Sequence, residues 1–297
     1  MKSVFSKLWN HQHWAIGLVR ERTARFLEQG FQPDVNWFAA PTFAADPFLV
    51  HHEGKTAILY EEFDYRSHRG RISAVEFTDS GFGTVFRNVI EDEFHFSYPF
   101  CLHIDGELYC IPEHNKSGRL AAYRCVRFPD QWTFDRVLMD SMPIVDPTIF
   151  QYEEHWWLSC TRQDRGSNSQ LYLFYGPSPL GPWKEHAGNP VKVSPMGSRP
   201  AGAVFENDGT LYRPSQDCST AYGGSIVIQK IQILNPLEFR EETARRIEPI
   251  AGSPYRRGTH HIAGLGNWTV IDGCRSTFSA YETAFVLKGW SQKLIRR

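Results

Sequence analysis

Four short segments of one pattern recur at nearly even spacing, and this period constrains the fold more than any other feature. They are ADPFLV from Ala45, SYPFCL from Ser97, VDPTIF from Val145 and SRPAGAVF from Ser198. Their prolines, Pro47, Pro99, Pro147 and Pro200, are 52, 48 and 53 residues apart. A fifth segment, THHIAGL from Thr259, follows after a longer gap and lacks the proline. Each segment runs through a turn into an aromatic or β-branched run: HHEGK then AILYEE, HIDGE then LYCIPEH, QYEEH then WWLSCTR. Gly and Asp between two such runs read as hairpin turns. Further strand-like runs follow, namely RISAVEF, LAAYRCVRF, QLYLFYG, SIVIQKIQIL and ETAFVLKGW. Three to four short strands in every ~50 residues is the pattern of propeller blades. Five repeats predict an all-β chain, a five-bladed β-propeller, with residues 1–297 as a single domain. HWAIGLVRE from His13 has strand character and is expected to join the last blade, closing the ring and removing an open edge. A β-sandwich would not carry so constant a period. The best helix candidate is the short ERTARFLEQ run at Glu21.

Charge and composition narrow the partners. Lys+Arg number 32 against 33 Asp+Glu, a formal net charge of −1, so there is no basic footprint for nucleic acid. With 41% hydrophobic and 22% charged residues the chain has material for a core and is not disordered. The longest charge-free stretch, which includes Ser167 to Trp183, is broken by prolines and glycines and cannot span a bilayer. Met1 to Trp14 carries Lys2 and Lys7 but no apolar run, so no signal peptide is expected. The six cysteines include no Cys-x-x-Cys pair and lie mostly in strand-like runs, which predicts reduced, buried thiols in a cytoplasmic protein. HQH at His11 and THH at Thr259 lack a third ligand at hairpin or helix spacing, so neither a metal nor another cofactor is expected.

Counting back from each turn sets the hairpin register. Asp46 falls opposite Glu62, Tyr98 near Glu113, Asp146 opposite Thr161 and beside Arg162, Arg199 opposite Gln216 and Asp217, and His260 opposite Asp272. The first strand of a blade lines the central channel, so these groups, with Glu61, His114, His261 and Arg275, are expected to form one polar ring. Burying that much charge is costly unless it is paired or used. Asp46 and Asp146 both stand in Asp-Pro at first-strand starts. Carboxylates flanking a sugar are the equipment of glycoside chemistry, one as base or nucleophile, with an acid to protonate the leaving oxygen. Tyr98, Trp156, Trp157 and Tyr222 are candidates to stack on sugar faces.

Several strings carry a resemblance: FAADPFLV, FSYPF, IPEH, GPWKEHAGNPV, SRPAGAVF, LYRPSQDCSTAYGGSI and GTHHI. They resemble the N-terminal domain of plant glucosamine inositolphosphorylceramide transferase, a domain that also occurs as stand-alone bacterial proteins. The resemblance runs from about Trp14 through nearly the whole chain. In the plant proteins a glycosyltransferase domain follows; this chain ends at Arg297, so the resemblance implies the propeller without that domain. The wider fold resembles five-bladed glycoside hydrolase propellers. That likeness implies Asp46 as general base and Asp146 as the carboxylate that tunes the acid. Arg199 stands where the blade-four acid would be, which leaves His260, His261 or Glu113 as the acid. Arg199 and Arg162 are candidates to hold an anion such as a nucleotide-sugar diphosphate or an acidic sugar.

The expected catalytic set is therefore Asp46, Asp146, His260 and Glu113. The expected binding set is Glu62, Tyr98, Arg162, Arg199, Gln216, Asp217, Tyr222, His261, Asp272 and Arg275. The function expected is cleavage or transfer at glycosidic bonds in bacterial surface-glycan metabolism, on a sugar or nucleotide-sugar ligand. The alternatives are a non-catalytic sugar-binding propeller that partners a glycosyltransferase, and a protein-interaction propeller without sugar chemistry.

Overall fold

The computed structural model describes residues 11–38, 40, 43–78 and 81–295; the Lys2 and Lys7 segment considered above lies outside the described residues. Five antiparallel sheets form the blades of a propeller. Blade one is β3 (Phe43–His52), β4 (Lys55–Asp64), β5 (Arg69–Thr78) and β6 (Gly81–Ile90). Blade two is β7 (Ser97–Ile104), β8 (Glu107–Glu113), β9 (Leu120–Arg127) and β10 (Gln131–Met139). Blade three starts with β11 (Ile144–Tyr152), β12 (His155–Arg162) and β13 (Gln170–Gly176), and ends in the short β14 (Lys184–Glu185) and β15 (Lys192–Val193). Blade four holds β16 (Met196–Pro200), β17 (Phe205–Asn207), β18 (Thr210–Asp217), β19 (Ser225–Leu234) and β20 (Phe239–Ile247).

Blade five is made from both ends of the chain. Its order is β2 (Asn36–Trp37), β1 (His11–Val19), β22 (Trp268–Thr277) and β21 (Ile262–Leu265). β1 pairs with β22 along all nine residues, from His11 opposite Thr277 to Val19 opposite Thr269. The expected closing strand is thus present, and β2 then covers its outer edge through Gly17 opposite Trp37.

Two expectations are corrected here. ETAFVLKGW, read as a strand, lies in a helix, α1 (Ala280–Ile295). The outer positions of blade five are already filled by β1 and β2, so this run has no sheet edge to join. Ser279 starts the helix: its Oγ accepts the Glu282 N–H at 3.3 Å and its C=O accepts the Thr283 N–H at 3.0 Å. The ERTARFLEQ run forms only a 3-10 turn, Thr23–Leu27.

The recurring proline has a structural cause. In β3, Ala45 pairs with Glu61 and Phe48 with Leu59, so Asp46 and Pro47 share one place in the ladder. The same bulge places Tyr98 and Pro99 in β7, and Asp146 and Pro147 in β11. Asp46, Tyr98 and Asp146 take φ of 51°, 46° and 50°, a left-handed conformation that side chains other than glycine rarely adopt. Proline fits the next place because it has no N–H to leave unpaired. Such a bulge re-aims a side chain, here at the inner end of three blades.

The core follows the ring. Phe48, Tyr98, Phe100, Ile149, Leu158, Ile16 and Val270 belong to one buried cluster, and Ala203 of blade four packs against it. Gly202 ties blade four to blade five: a Cβ there would lie 1.8 Å from the Ile262 carbonyl oxygen, so no other residue fits. All six cysteines are free thiols, four of them buried. No helix among the described residues is long and apolar enough to cross a membrane.

Candidate active site

A pocket of about 420 Å³ opens where the inner strands begin. Asp46 from β3, Glu61 from β4, Glu113 from β8, Arg199 from β16, Tyr222 and His260 line it, together with Trp14 and His11 from β1 and Glu282 from α1. Asp46 is only 5% exposed and Glu113 4%. Burial raises the Asp46 carboxyl to about 7; His260 opposes the rise, and Asp146 and Asp272 add to it. Burial also lifts Glu61 and Glu113 well above the usual carboxylate range, helped in Glu61 by Asp46 and in Glu113 by Asp146. Near neutral pH the pocket therefore holds carboxyl groups that can carry a proton.

His260 lies between two carboxylates. Its Nδ1 lies 2.5 Å from Asp272 Oδ2, and its Nε2 lies 3.5 Å from Asp46 Oδ1. Asp272 Oδ1 accepts the backbone N–H groups of His260 and His261 at 2.8 and 3.0 Å, which fixes the segment ahead of β21. Burial disfavours the imidazolium, but Asp272 and then Asp46 outweigh it and raise the His260 pKa above its ordinary value. The Trp14 ring, 4.0 Å from that of His260, supports the imidazole from β1. Asp46, His260 and Asp272 also bring three ligand atoms within 4.8 Å of one another and are the described residues that could hold a metal ion. The sequence pattern placed all three in the ring but did not group them as metal ligands, because Asp46 lies far along the chain from His260 and Asp272.

Asp146 is engaged differently from Asp46. Arg199 Nε and Nη2 donate to its two oxygens at 2.7 and 3.4 Å, and Gln216 Nε2 donates at 3.2 Å. Glu113 Oε2 accepts the Asp146 N–H at 3.1 Å, which ties blades two and three together. Asp146 therefore holds Arg199, whose guanidinium lies 4.9 Å from the Tyr222 ring centroid.

Other expected members of the ring lie elsewhere. The turn is Glu53-Gly54, with His52 opposite Lys55, and the bulge adds one further residue, so that Ala44, not Asp46, faces Glu62. Glu62 then points to the opposite face from Glu61, toward Ser73 Oγ at 2.7 Å and Arg87 at 3.2 Å. Arg162 is spent on Asp164, and Arg275 is exposed beside the Tyr255 ring. Asp217 caps its own turn through Ser219 N at 2.9 Å and pairs with Arg246. His114 stacks on Phe96 outside the pocket. His261 is buried against Phe48 and Tyr98, and burial lowers its pKa to about 3, so it stays neutral. Trp157 is a core residue, and Trp156 packs against the central core.

Tyr98 also turns inward. Its hydroxyl meets Thr148 Oγ1 at 2.6 Å and accepts the Gly202 N–H at 2.8 Å, linking three blades. Tyr98→Phe should therefore act on stability, by about 1–3 kcal/mol, because it leaves a buried N–H unpaired. Chemical denaturation measures this; an unchanged midpoint would contradict the linking role.

Sequence reasoning missed Trp14, His11, His95, Phe43, Phe63, Tyr65 and Glu282, all of which line the pocket. The Ser279-x-x-Glu282 capping pattern was the available signal for α1. No local signal brings β1 to the site, since its partner lies at the other end of the chain.

The family model for the N-terminal domain of glucosamine inositolphosphorylceramide transferase 1 matches residues 34–251. The chain belongs to this family. It is similar to glucosamine inositolphosphorylceramide transferase 1 of Oryza sativa subsp. japonica, 38% identical over 205 residues, which cover 67% of this chain and 27% of that protein. The Arabidopsis thaliana protein of the same name is 38% identical over 206 residues, with the same coverage. The chain thus spans about a quarter of the length of these relatives. Among solved structures, a thermostable family-43 glycoside hydrolase matches with TM-score 0.52 at 14% identity, over 68% of this chain and 76% of that one. An α-L-arabinofuranosidase from Podospora anserina in complex with cellotriose matches with TM-score 0.54 at 12% identity, over 80% and 92%. At these identities the structural likeness concerns the fold alone.

Proposed function

We propose that the pocket binds a carbohydrate and acts on a glycosidic bond, by cleavage or transfer, with Asp46 and His260 exchanging the proton. The observation that carries this reading is Asp46 itself: a buried carboxyl raised to about 7, in contact range of an imidazole that Asp272 orients. A general base and its partner work best with pKa values near the operating pH. Trp14, Phe43, Phe63, Tyr65 and Tyr222 supply aromatic surface for sugar rings around those polar groups. We extend the reading to bacterial surface-polysaccharide biosynthesis in the cytoplasm, with a glycosyltransferase as partner. The transferase names of the plant relatives support the glycosyltransferase partner, and the six free thiols support the cytoplasmic placement.

One observation favours a second reading, a sugar-binding propeller without catalysis. Asp146, a member of the expected catalytic pair, is taken up by Arg199. A screen of nucleotide sugars and oligosaccharides by thermal shift, followed by product analysis from pH 5 to 9, separates the two. A ligand at one hundred times its Kd raises stability by about 2.7 kcal/mol. Turnover should climb with pH through about 7 as Asp46 ionises, and fall when His260 loses its proton. A sugar that binds but is recovered intact across the whole range would sink the catalytic reading.

A further inference from the structure

The central pocket has a neighbour of different chemistry. A second cavity, of about 340 Å³, shares the side chains of Phe63 and Tyr65 with it. Helix α1 borders both, with Glu282 facing the first and Tyr281 the second. Where the first presents carboxyl groups, the second presents Arg66, Arg71, Arg87 and the Asn88 amide. Its acidic lining residues are Glu62 and Asp64, and with Glu91 on Arg71 the carboxylates gather on Arg71 and Arg87, which leaves Arg66 as the cation turned to the cavity without one among the described residues.

Those cations are held but not used up. Arg87 Nη1 lies 3.2 Å from Glu62, while Arg71 has two carboxylate partners, Glu91 2.8 Å from its Nε and Asp64 3.8 Å from its Nη1. A guanidinium has five N–H donors in its plane, so the single pair of Arg87 leaves donors over, and the two of Arg71 leave fewer. Arg66 lies over the Tyr281 ring at 5.3 Å, a contact that leaves its charge without a carboxylate partner among the described residues. Asp64 accepts the backbone N–H groups of Arg66 and Ser67 at 2.9 and 3.3 Å, and this folds the turn that presents Arg66. The site is therefore built from two directions, a blade-one turn and the helix.

We propose that this second cavity is an oxyanion subsite, which binds a phosphate or carboxylate group carried by the same glycan whose sugar ring occupies the central pocket. The inference rests on the reading of the central pocket as a sugar site. Planar guanidinium forks match both oxyanions, and the shared Phe63 and Tyr65 wall sets one subsite directly beside the other. The substrate would then be an acidic or phosphorylated sugar, with recognition of the anion separate from the proton chemistry.

The test uses the full chain, with inorganic pyrophosphate and glucuronate as separate probes in calorimetric titrations at low and moderate salt. At least one probe should bind, more weakly as salt rises. Arg66→Glu should weaken that binding tenfold or more. Arg124→Glu, at an exposed arginine paired with Glu107 in blade two, should not. Pyrophosphate alone responding would assign phosphate; glucuronate alone would assign carboxylate. Because Arg66 is exposed, the fold should tolerate the change, and circular dichroism checks it. Binding of neither probe, or equal binding by Arg66→Glu, would overturn the subsite. Pyrophosphate held through Arg66, with no response to any neutral oligosaccharide, would instead sink the sugar reading and leave the oxyanion site standing.

Discussion

Asp46→Asn should cost at least about 10²-fold in turnover on any substrate the protein is found to process, while the fold persists. The amide keeps the shape that the bulge of β3 requires but cannot take up a proton. Stability should move the other way. The folded carboxyl titrates at about 7, against an ordinary value of 3.8, so folding favours its protonated form. Wild-type stability should therefore fall as pH rises from about 4 to about 7, where the unfolded chain has lost this proton and the folded one still holds it. Asparagine removes that penalty. Above pH 7 the variant should be the more stable protein, by roughly 2–4 kcal/mol, and the gap should close below about pH 4. Urea titrations at pH 4 and pH 8 measure this. A variant that is less stable at pH 8, or one that turns over normally, would remove Asp46 from the proposed role.

Arg199→Ala should be the most destabilising single change in the pocket, at about 3–5 kcal/mol, because it strands a buried carboxylate. The Asp146 side chain is 2% exposed and that of Arg199 13%, and the pair is bound at two points. The sequence pattern suggested a gripping role for Arg199 on a substrate anion; the structure commits its donors to Asp146 and to Asn168 at 3.0 Å. The double variant Asp146→Asn, Arg199→Ala should recover most of the loss, since no charge is left alone. If the single variant is as stable as wild type, the pair is not the structural element described here.

The fold was legible because its cause repeats. A residue aimed inward by a bulge, followed by a proline that the bulge tolerates, leaves the same mark at Asp46, Tyr98 and Asp146. The same bulge limited the reading of the site. Register counted from a hairpin turn assumes one residue per rung, and each bulge inserts an extra one. In blade one a count centred on Gly54 is already one residue off, since His52 faces Lys55, and the bulge adds a second; together they set Glu62 opposite Asp46, and neither could show that Tyr98 points into the core. The His260 and Asp272 pairing was legible because blade five lacks the bulge, and the count from its turn holds to within a residue. Trp14, His11 and Glu282 were not legible as site residues, since no periodicity reports a contact across most of the chain length.

Closure of the ring by β1 has a consequence for how the protein is made. Synthesis proceeds at roughly 5–20 residues per second, so His11–Val19 waits on the order of tens of seconds before Trp268–Thr277 exists. During that interval blades one to four can form while an apolar strand, with Trp14, Ile16 and Leu18, stays unpaired. Contacts between such distant parts are slow to form. The imidazole of His260 gains its Trp14 support only at this last step. A chain released early, or one with its first strand obstructed by a fused peptide, would hold most of a propeller and no finished pocket.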